Sequence, residues 1–175
     1  MPLLNKHDVI DGLTQLGRLA EMEGLTLDLL LVGGGVMVLD LSAREATHDL
    51  DGIVLYSTDS ATVRRLAAQL ASTNGWPNDW LNDAAKGFIV GPTTPSIIFE
   101  APGIHVYRPA YSQLVAMKLC AWRDDLDISD ASLLLSKIPG TREEAWNAIT
   151  PHLFPGRELT AKYAFDDLWE RDHET

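Results

Sequence analysis

The fold is decided by residues 27–55, LDLLLVGGGVMVLDLSAREATHDLDGIVL. The first six of these residues are almost entirely apolar and stop at three glycines, which predicts a short central β-strand. Apolar residues resume at once from Val36 to Leu41 and predict a short helix that is entered directly from this strand. A second strand is predicted from Asp49 to Tyr56, where two carboxylates precede an apolar run.

The rest of the chain predicts further helices and one strand pair. Helical spacing of apolar residues occurs over 5–23, 59–72, 111–122, 128–137, 142–149 and 158–171. Strands are predicted over 96–100 and 104–107, joined by a hairpin-like connection, and residues 76–87 are predicted to be loop or short helix. This order predicts an α/β (α+β) fold in a single domain 1–175, with a small mixed sheet flanked by helices. Its core covers about residues 25–110, and a helical part covers 111–175.

Charge and cysteine content limit the classes of function. The formal net charge of −11 argues against a large basic surface for nucleic acid, so RNA or a nucleotide would be bound locally. The same charge suits a site that collects divalent cations, a basic partner or simple solubility. Cys120 is the only cysteine, which excludes an intrachain disulfide framework, and we expect it in the core. With neither an export signal nor a membrane span evident, we expect a cytoplasmic protein.

Asp49 and Asp51 are two residues apart on a predicted strand, so their side chains should point to the same face. Mg²⁺ prefers oxygen ligands and often uses one or two protein carboxylates together with substrate phosphates. Two such ions can stabilise the attacking and leaving oxygens of a phosphoryl or nucleotidyl transfer. Taken alone, however, such a pair more often marks a solvated strand edge than a metal site.

Gly33, Gly34 and Gly35 stand between the predicted strand and helix. Glycine lets the backbone approach a phosphate, and the N–H groups at a helix start can bind it. The glycine patterns of dinucleotide-binding folds and of P-loops are both absent. A purely structural turn is therefore as consistent with these glycines as a phosphate site is, as long as they are considered alone.

The combined pattern resembles the signature of the nucleotidyltransferase superfamily: a strand, two glycines, a short helix, then Asp-x-Asp on a strand. Two later segments, LVAMKLCAWR (114–123) and DISD (127–130), are similar to further motifs of the AbiEii-like family of type IV toxin nucleotidyltransferases. The resemblance runs from about residue 30 to residue 135, which is most of the chain. It implies the nucleotidyltransferase fold and the transfer of NMP from an NTP to an acceptor hydroxyl.

The resemblance also implies roles for single residues. It assigns Asp49 and Asp51 to Mg²⁺, and Lys118 and Asp130 to catalysis. It assigns phosphate binding to four further residues, Gly33, Gly34, Arg44 and Thr47. Asp127 either holds Arg123 or Lys118 in place or caps a helix. Lys118 stands on an otherwise apolar helix stripe, where it either meets a triphosphate, reaches water, or pairs with a structural acid.

The sequence departs from the superfamily pattern at one position, so it leaves open whether the protein is catalytically active. The superfamily usually has a third metal carboxylate on a later strand, where this chain has His105, and Glu100 is the nearest acidic substitute. The family suggests the 3′ end of a tRNA as acceptor and an antitoxin as partner, although the acidic charge speaks against RNA. The alternatives are a non-catalytic module that binds a nucleotide or a protein, and an enzyme that modifies a protein or a small molecule.

Overall fold

A five-stranded mixed sheet organises the first part of the chain in the computed structural model, which describes residues 3–56, 59–122 and 124–173. The strands found in these residues are β1 (Leu4–Asn5), β2 (Leu27–Val32), β3 (Ala46–Thr47), β4 (Leu50–Val54), β5 (Leu81–Asn82), β6 (Ser96–Ala101) and β7 (Ile104–Arg108). The α-helices found there are α1 (Lys6–Met22), α2 (Gly34–Leu39), α3 (Ser60–Asn74), α4 (Tyr111–Ala121), α5 (Asp125–Leu135), α6 (Arg142–Ile149) and α7 (Glu158–His173). Short 3₁₀ helices cover Ala84–Phe88 and Thr150–His152. The predicted mixed α/β class is confirmed.

The strand order is β5-β4-β2-β7-β6, with β2 in the centre as predicted. Strand β2 is antiparallel to β4 and parallel to β7, while β5 is parallel to β4 and β6 is antiparallel to β7. Strands β1 and β3 form a separate antiparallel pair. The sheet therefore has β5 and β6 as its two edges.

One face of the sheet is packed against helices. The fully buried residues of this face include Leu27, Leu29, Leu31, Leu50, Ile104 and Val106. Helix α1 lies so close that a Cβ at Gly17 would be 2.6 Å from Ile104, and α2 lies so close that one at Gly35 would be 2.9 Å from Leu31. Burying each large apolar side chain here stabilises the fold by roughly 1.5–3 kcal/mol.

The opposite face carries most of the polar residues of the sheet, and we call it the polar face. Side chains alternate along a strand, so in-register residues share a face. The register pairs Asp28 with His105, Leu30 with Tyr107, Val32 with Asp51, Asp51 with Asn82, and His105 with Glu100. The polar face is thus defined by Asp28, Asp51, Asn82, Glu100, His105 and Tyr107.

Local signals explain where several elements begin and end. Asn5 and Asp8 form a capping box at the start of α1, and Gly24 follows its end with φ 71°. Asp59 caps α3 by accepting from Thr62 N, and Gly75 closes that helix in the left-handed region. The predicted bounds of both helices hold to within two residues.

Other bounds differ from the prediction. Helix α2 begins at Gly34, two residues early, so two of the three glycines lie in its first turn. Asp49 precedes β4 instead of lying in it. Helix α5 begins at Asp125 because Asp124 caps it by accepting from the backbone N–H of Asp127. The predicted cap role for Asp127 is therefore wrong, since this residue lies in the first turn of the helix.

The chain divides into two units. The sheet unit consists of Met1–Lys86 and Pro95–Arg108, and the helical unit consists of Gly87–Thr94 and Pro109–Thr175. In the helical unit, the 87–94 segment is held by Gln113 Nε2, which donates to Val90 O at 2.9 Å, and by a ring contact between Phe88 and Phe154. No helix in the described part of the chain is both long and apolar enough to cross a membrane.

Candidate functional site

The end of β2 brings the first glycine against a carboxylate. Val32 lies opposite Asp51 in the β2–β4 register, and Gly33 follows directly. Gly33 has φ 63° and ψ −142°, a conformation that side-chain-bearing residues rarely adopt. A Cβ at Gly33 would lie 3.2 Å from Asp51 Oδ2. The Asp51 carboxylate therefore covers the backbone of the glycine turn.

The second glycine lies beneath a hydroxyl and a guanidinium. A Cβ at Gly34 would be 2.5 Å from Thr47 Oγ1 and 3.4 Å from Arg44 Nη1, so only glycine leaves these groups in place. Thr47 is buried, and its hydroxyl donates to the backbone oxygen of Asp49 at 3.1 Å. The structure thus brings together most of the residues predicted for this site: Gly33, Gly34, Arg44, Thr47, Asp49 and Asp51.

Asn82 is a member of this site that the sequence does not reveal. It lies opposite Asp51 in the β4–β5 pairing, and its Nδ2 donates to Asp49 Oδ2 at 2.9 Å and to Asp79 O at 3.2 Å. Its Oδ1 accepts from Ala84 N at 2.9 Å. The amide is therefore fixed by its own backbone contacts and in turn fixes one oxygen of Asp49.

Glu100 does not reach this site. It lies on β6, the third strand from β4 in the sheet order, which corresponds to a separation of about 14 Å across the strands. Its side chain lies near His105, whose Nε2 is 3.9 Å from Glu100 Oε1. The other ring nitrogen of His105, Nδ1, lies 3.0 Å from Asp28 Oδ1. Glu100 and His105 therefore belong to another part of the polar face.

The donor set around Asp49 and Asp51 fits a hard cation of the Mg²⁺ type. Two carboxylates are the number of protein ligands that Mg²⁺ commonly uses, with water and phosphate oxygens as the others. Asn82 would orient Asp49, as hydrogen-bonded neighbours of metal ligands generally do. Within the described residues, no group of three or more His, Cys, Asp and Glu is arranged to hold a metal. These residues would therefore leave most of the coordination sphere to the substrate and water.

Lys118 lies in the helical unit, where it is held by two carboxylates. Its Nζ is 2.8 Å from Asp127 Oδ1 and 2.9 Å from Asp130 Oδ2, and the three side chains are 14%, 5% and 5% exposed. This is the pairing with a structural acid that the sequence left as an alternative. Arg123, the other basic residue of that motif, lies outside the described residues.

Comparison of the chain with family models, curated proteins and solved structures gives no match.

Proposed function

We propose that the chain is a Mg²⁺-dependent nucleotidyltransferase, which transfers NMP from an NTP to an acceptor hydroxyl. The observation that carries the proposal is the contact of the two glycines with Asp51, Thr47 and Arg44 at the end of β2. A glycine turn with a cationic side chain and the Asp51 carboxylate beside it, and with Asp49 two residues before Asp51, matches what a triphosphate with its metal requires. The motif resemblance implies the nucleotidyltransferase fold for the same residues.

Each residue of the site has a role in this reaction. Asp49 and Asp51 would hold Mg²⁺, which when bound neutralises phosphate charge and stabilises the leaving pyrophosphate. Arg44 and Thr47 bind phosphate oxygens beside Gly34. The acceptor oxygen forms a bond to the α-phosphorus, the bond to the β-phosphate oxygen breaks, and the acceptor proton passes to solvent. Rate acceleration comes mainly from positioning and charge neutralisation.

Some parts of the proposal rest on the resemblance alone. These are a tRNA 3′ end as acceptor and a cognate antitoxin as partner, whereas the proposed cytoplasmic location rests on the sequence composition. The resemblance also assigns Lys118 and Asp130 to catalysis, but their ion pair supports a structural role equally well.

The test is a transfer assay with each α-³²P-labelled NTP, Mg²⁺ and either total RNA or cell extract. Wild type should label an acceptor, while Asp49→Asn and Asp51→Asn should lose transfer, as should wild type in EDTA. Asp79→Asn is the matched control, because this exposed aspartate lies near the site and contributes only its backbone oxygen. Whether the label appears in RNA, in protein or in a small molecule identifies the class of acceptor. Transfer by Asp51→Asn at the wild-type rate would refute the proposal.

A second candidate is a non-catalytic module of the same fold that binds a nucleotide. It is favoured by the position of Glu100, which leaves the described part of the site with two carboxylates. Nucleotide binding that depends on Asp51, without turnover of any NTP, would support this candidate over the enzyme.

A further inference from the structure

A second cluster lies on the polar face, centred on Asp28. This residue is the one charged side chain in β2, and its Oδ1 is 3.0 Å from His105 Nδ1 and accepts from the Tyr107 hydroxyl at 3.2 Å. The other oxygen of Asp28, Oδ2, accepts no hydrogen bond from any described residue. The Asp28 side chain is 20% exposed. One of its carboxylate oxygens therefore contacts His105 and Tyr107, while the other has no hydrogen-bond donor among the described residues.

Two tyrosines form adjacent walls of the cluster. The rings of Tyr56 and Tyr107 are 6.3 Å apart between centroids and inclined at 81° to each other. Tyr56 is 71% exposed, so the face of its ring is open to a ligand. A ligand bound between Tyr56 and Tyr107 would contact the face of one ring and the edge or face of the other.

The cluster has a negative charge. Asp28 and Glu100 carry one each, and His105 lies between them. The net charge of the cluster is negative whether or not His105 carries a proton. The pKa of Tyr107 is raised, first by burial and then by Asp28, Tyr56 and Glu100, which is the behaviour expected of a phenol in a negative field.

We propose that these five residues, Asp28, Tyr56, Glu100, His105 and Tyr107, form a binding site for a protonated amine. An ammonium group is attracted by aromatic faces and by carboxylates, and it would supply the donor that Asp28 Oδ2 lacks within the described chain. A phosphate or carboxylate ligand would be repelled by both acids. An apolar ligand would desolvate the acids without a compensating bond. This site goes beyond the proposed nucleotidyl transfer and stands without it.

The ammonium has two possible sources, a free amine or a lysine side chain, and two probes distinguish them. Spermidine represents the free amine, and the capped tripeptide Ala-Lys-Ala represents the lysine. The same tripeptide with an acetylated lysine is the uncharged control. Binding is measured at 150 mM salt, which weakens non-specific attraction to an acidic protein, by the NMR shifts of ¹³C-labelled tyrosine rings.

We expect saturable shifts of Tyr56 and Tyr107 with an amine probe and none with the acetylated peptide. Tighter binding of spermidine would indicate a free amine, and tighter binding of the peptide a lysine. Asp28→Asn and Tyr56→Leu should each weaken binding at least fivefold. Glu158→Gln removes the same charge from an exposed position of the helical unit and should leave the affinity unchanged.

Three results would overturn the proposal: no saturable shift, equal binding of the acetylated peptide, or wild-type affinity in both variants. Because Asp28 lies within the sheet, its variant is first checked for wild-type thermal unfolding. If that variant does not fold, Tyr56→Leu decides, since this side chain is largely exposed.

Discussion

The carboxylate of Asp51 lies directly over the α-carbon of Gly33, so that a methyl group there would be 3.2 Å from Oδ2. We therefore predict that Gly33→Ala shifts the Asp51 carboxylate by less than about 1 Å and lowers transfer, though by less than the roughly hundredfold that a misplacement of about 1 Å can cost. The strained backbone adds about 1–3 kcal/mol of destabilisation. Transfer rate and urea unfolding measure the two effects separately.

Gly75→Ala is the matched control for this change. Gly75 also has a positive φ, 68°, but a Cβ there would meet nothing within 4 Å. It should lower stability and leave transfer unchanged. Equal loss of transfer in both variants would show that backbone strain, and not the contact with Asp51, explains the effect.

Asn82→Ala should lower the affinity for Mg²⁺, and so raise the Mg²⁺ concentration that transfer requires, without unfolding the protein. The change removes the donor to Asp49 Oδ2, and loss of a residue that orients a metal ligand typically costs roughly tenfold or more in metal affinity. The Mg²⁺ concentration for half-maximal transfer is the measurement. Asn147→Ala, at an exposed position of α6, serves as the control. An unchanged Mg²⁺ requirement would mean that Asn82 supports only the local backbone.

Lys118→Met should destabilise the helical unit by up to about 3–5 kcal/mol, because it removes an ammonium group that pairs with two buried carboxylates. Combining it with Asp127→Asn and Asp130→Asn should recover most of this loss in urea unfolding. Lys137→Met, at an exposed position, should change stability by less than about 0.5 kcal/mol. If Lys118→Met instead keeps full stability and loses transfer, Lys118 acts on the substrate, as the sequence resemblance implies.

Tyr107 should titrate above its ordinary value of 10.0, first because of burial and then because of Asp28. A phenol whose pKa is raised by folding contributes stability that is present below about 10 and is lost as the pH rises through the folded pKa. Tyr107→Phe should remove this loss, which unfolding experiments between pH 9 and about 12 would measure. A Tyr107 ring resonance that titrates at or below 10.0 would contradict the prediction.

The sequence predicts those elements whose signals are local. Helices α1 and α3 and strand β2 are bounded by caps or glycines that act within a few residues, so their predicted bounds are close. Strand β5 has two residues and forms by pairing with β4, so the sequence predicts neither this strand nor the role of Asn82. No local pattern marks such a strand.

The candidate site shows the same division. The contact of Gly34 with Thr47 and Arg44 follows from a motif whose members are close in sequence. The position of Glu100 depends on strand order, which inserts β2 and β7 between β4 and β6 and which residue spacing does not contain. The sequence pattern does not reveal a role for Asp28, because its neighbours His105 and Tyr107 are brought to it only by the β2–β7 register.

The side chains of β2 alternate between the two faces of the sheet, and the two sets differ in their surroundings. Leu27, Leu29 and Leu31 are fully buried on the helix-packed side, whereas Asp28 opens to the other side. A library of substitutions confined to Asp28, its polar-face neighbours and the exposed Tyr56 leaves the helix-packed side untouched. Exchanges at the exposed Tyr56 can therefore tune the proposed amine site at little cost in stability, whereas Leu30 and Val32, which share the polar face with Asp28, are buried as deeply as the leucines of the other face.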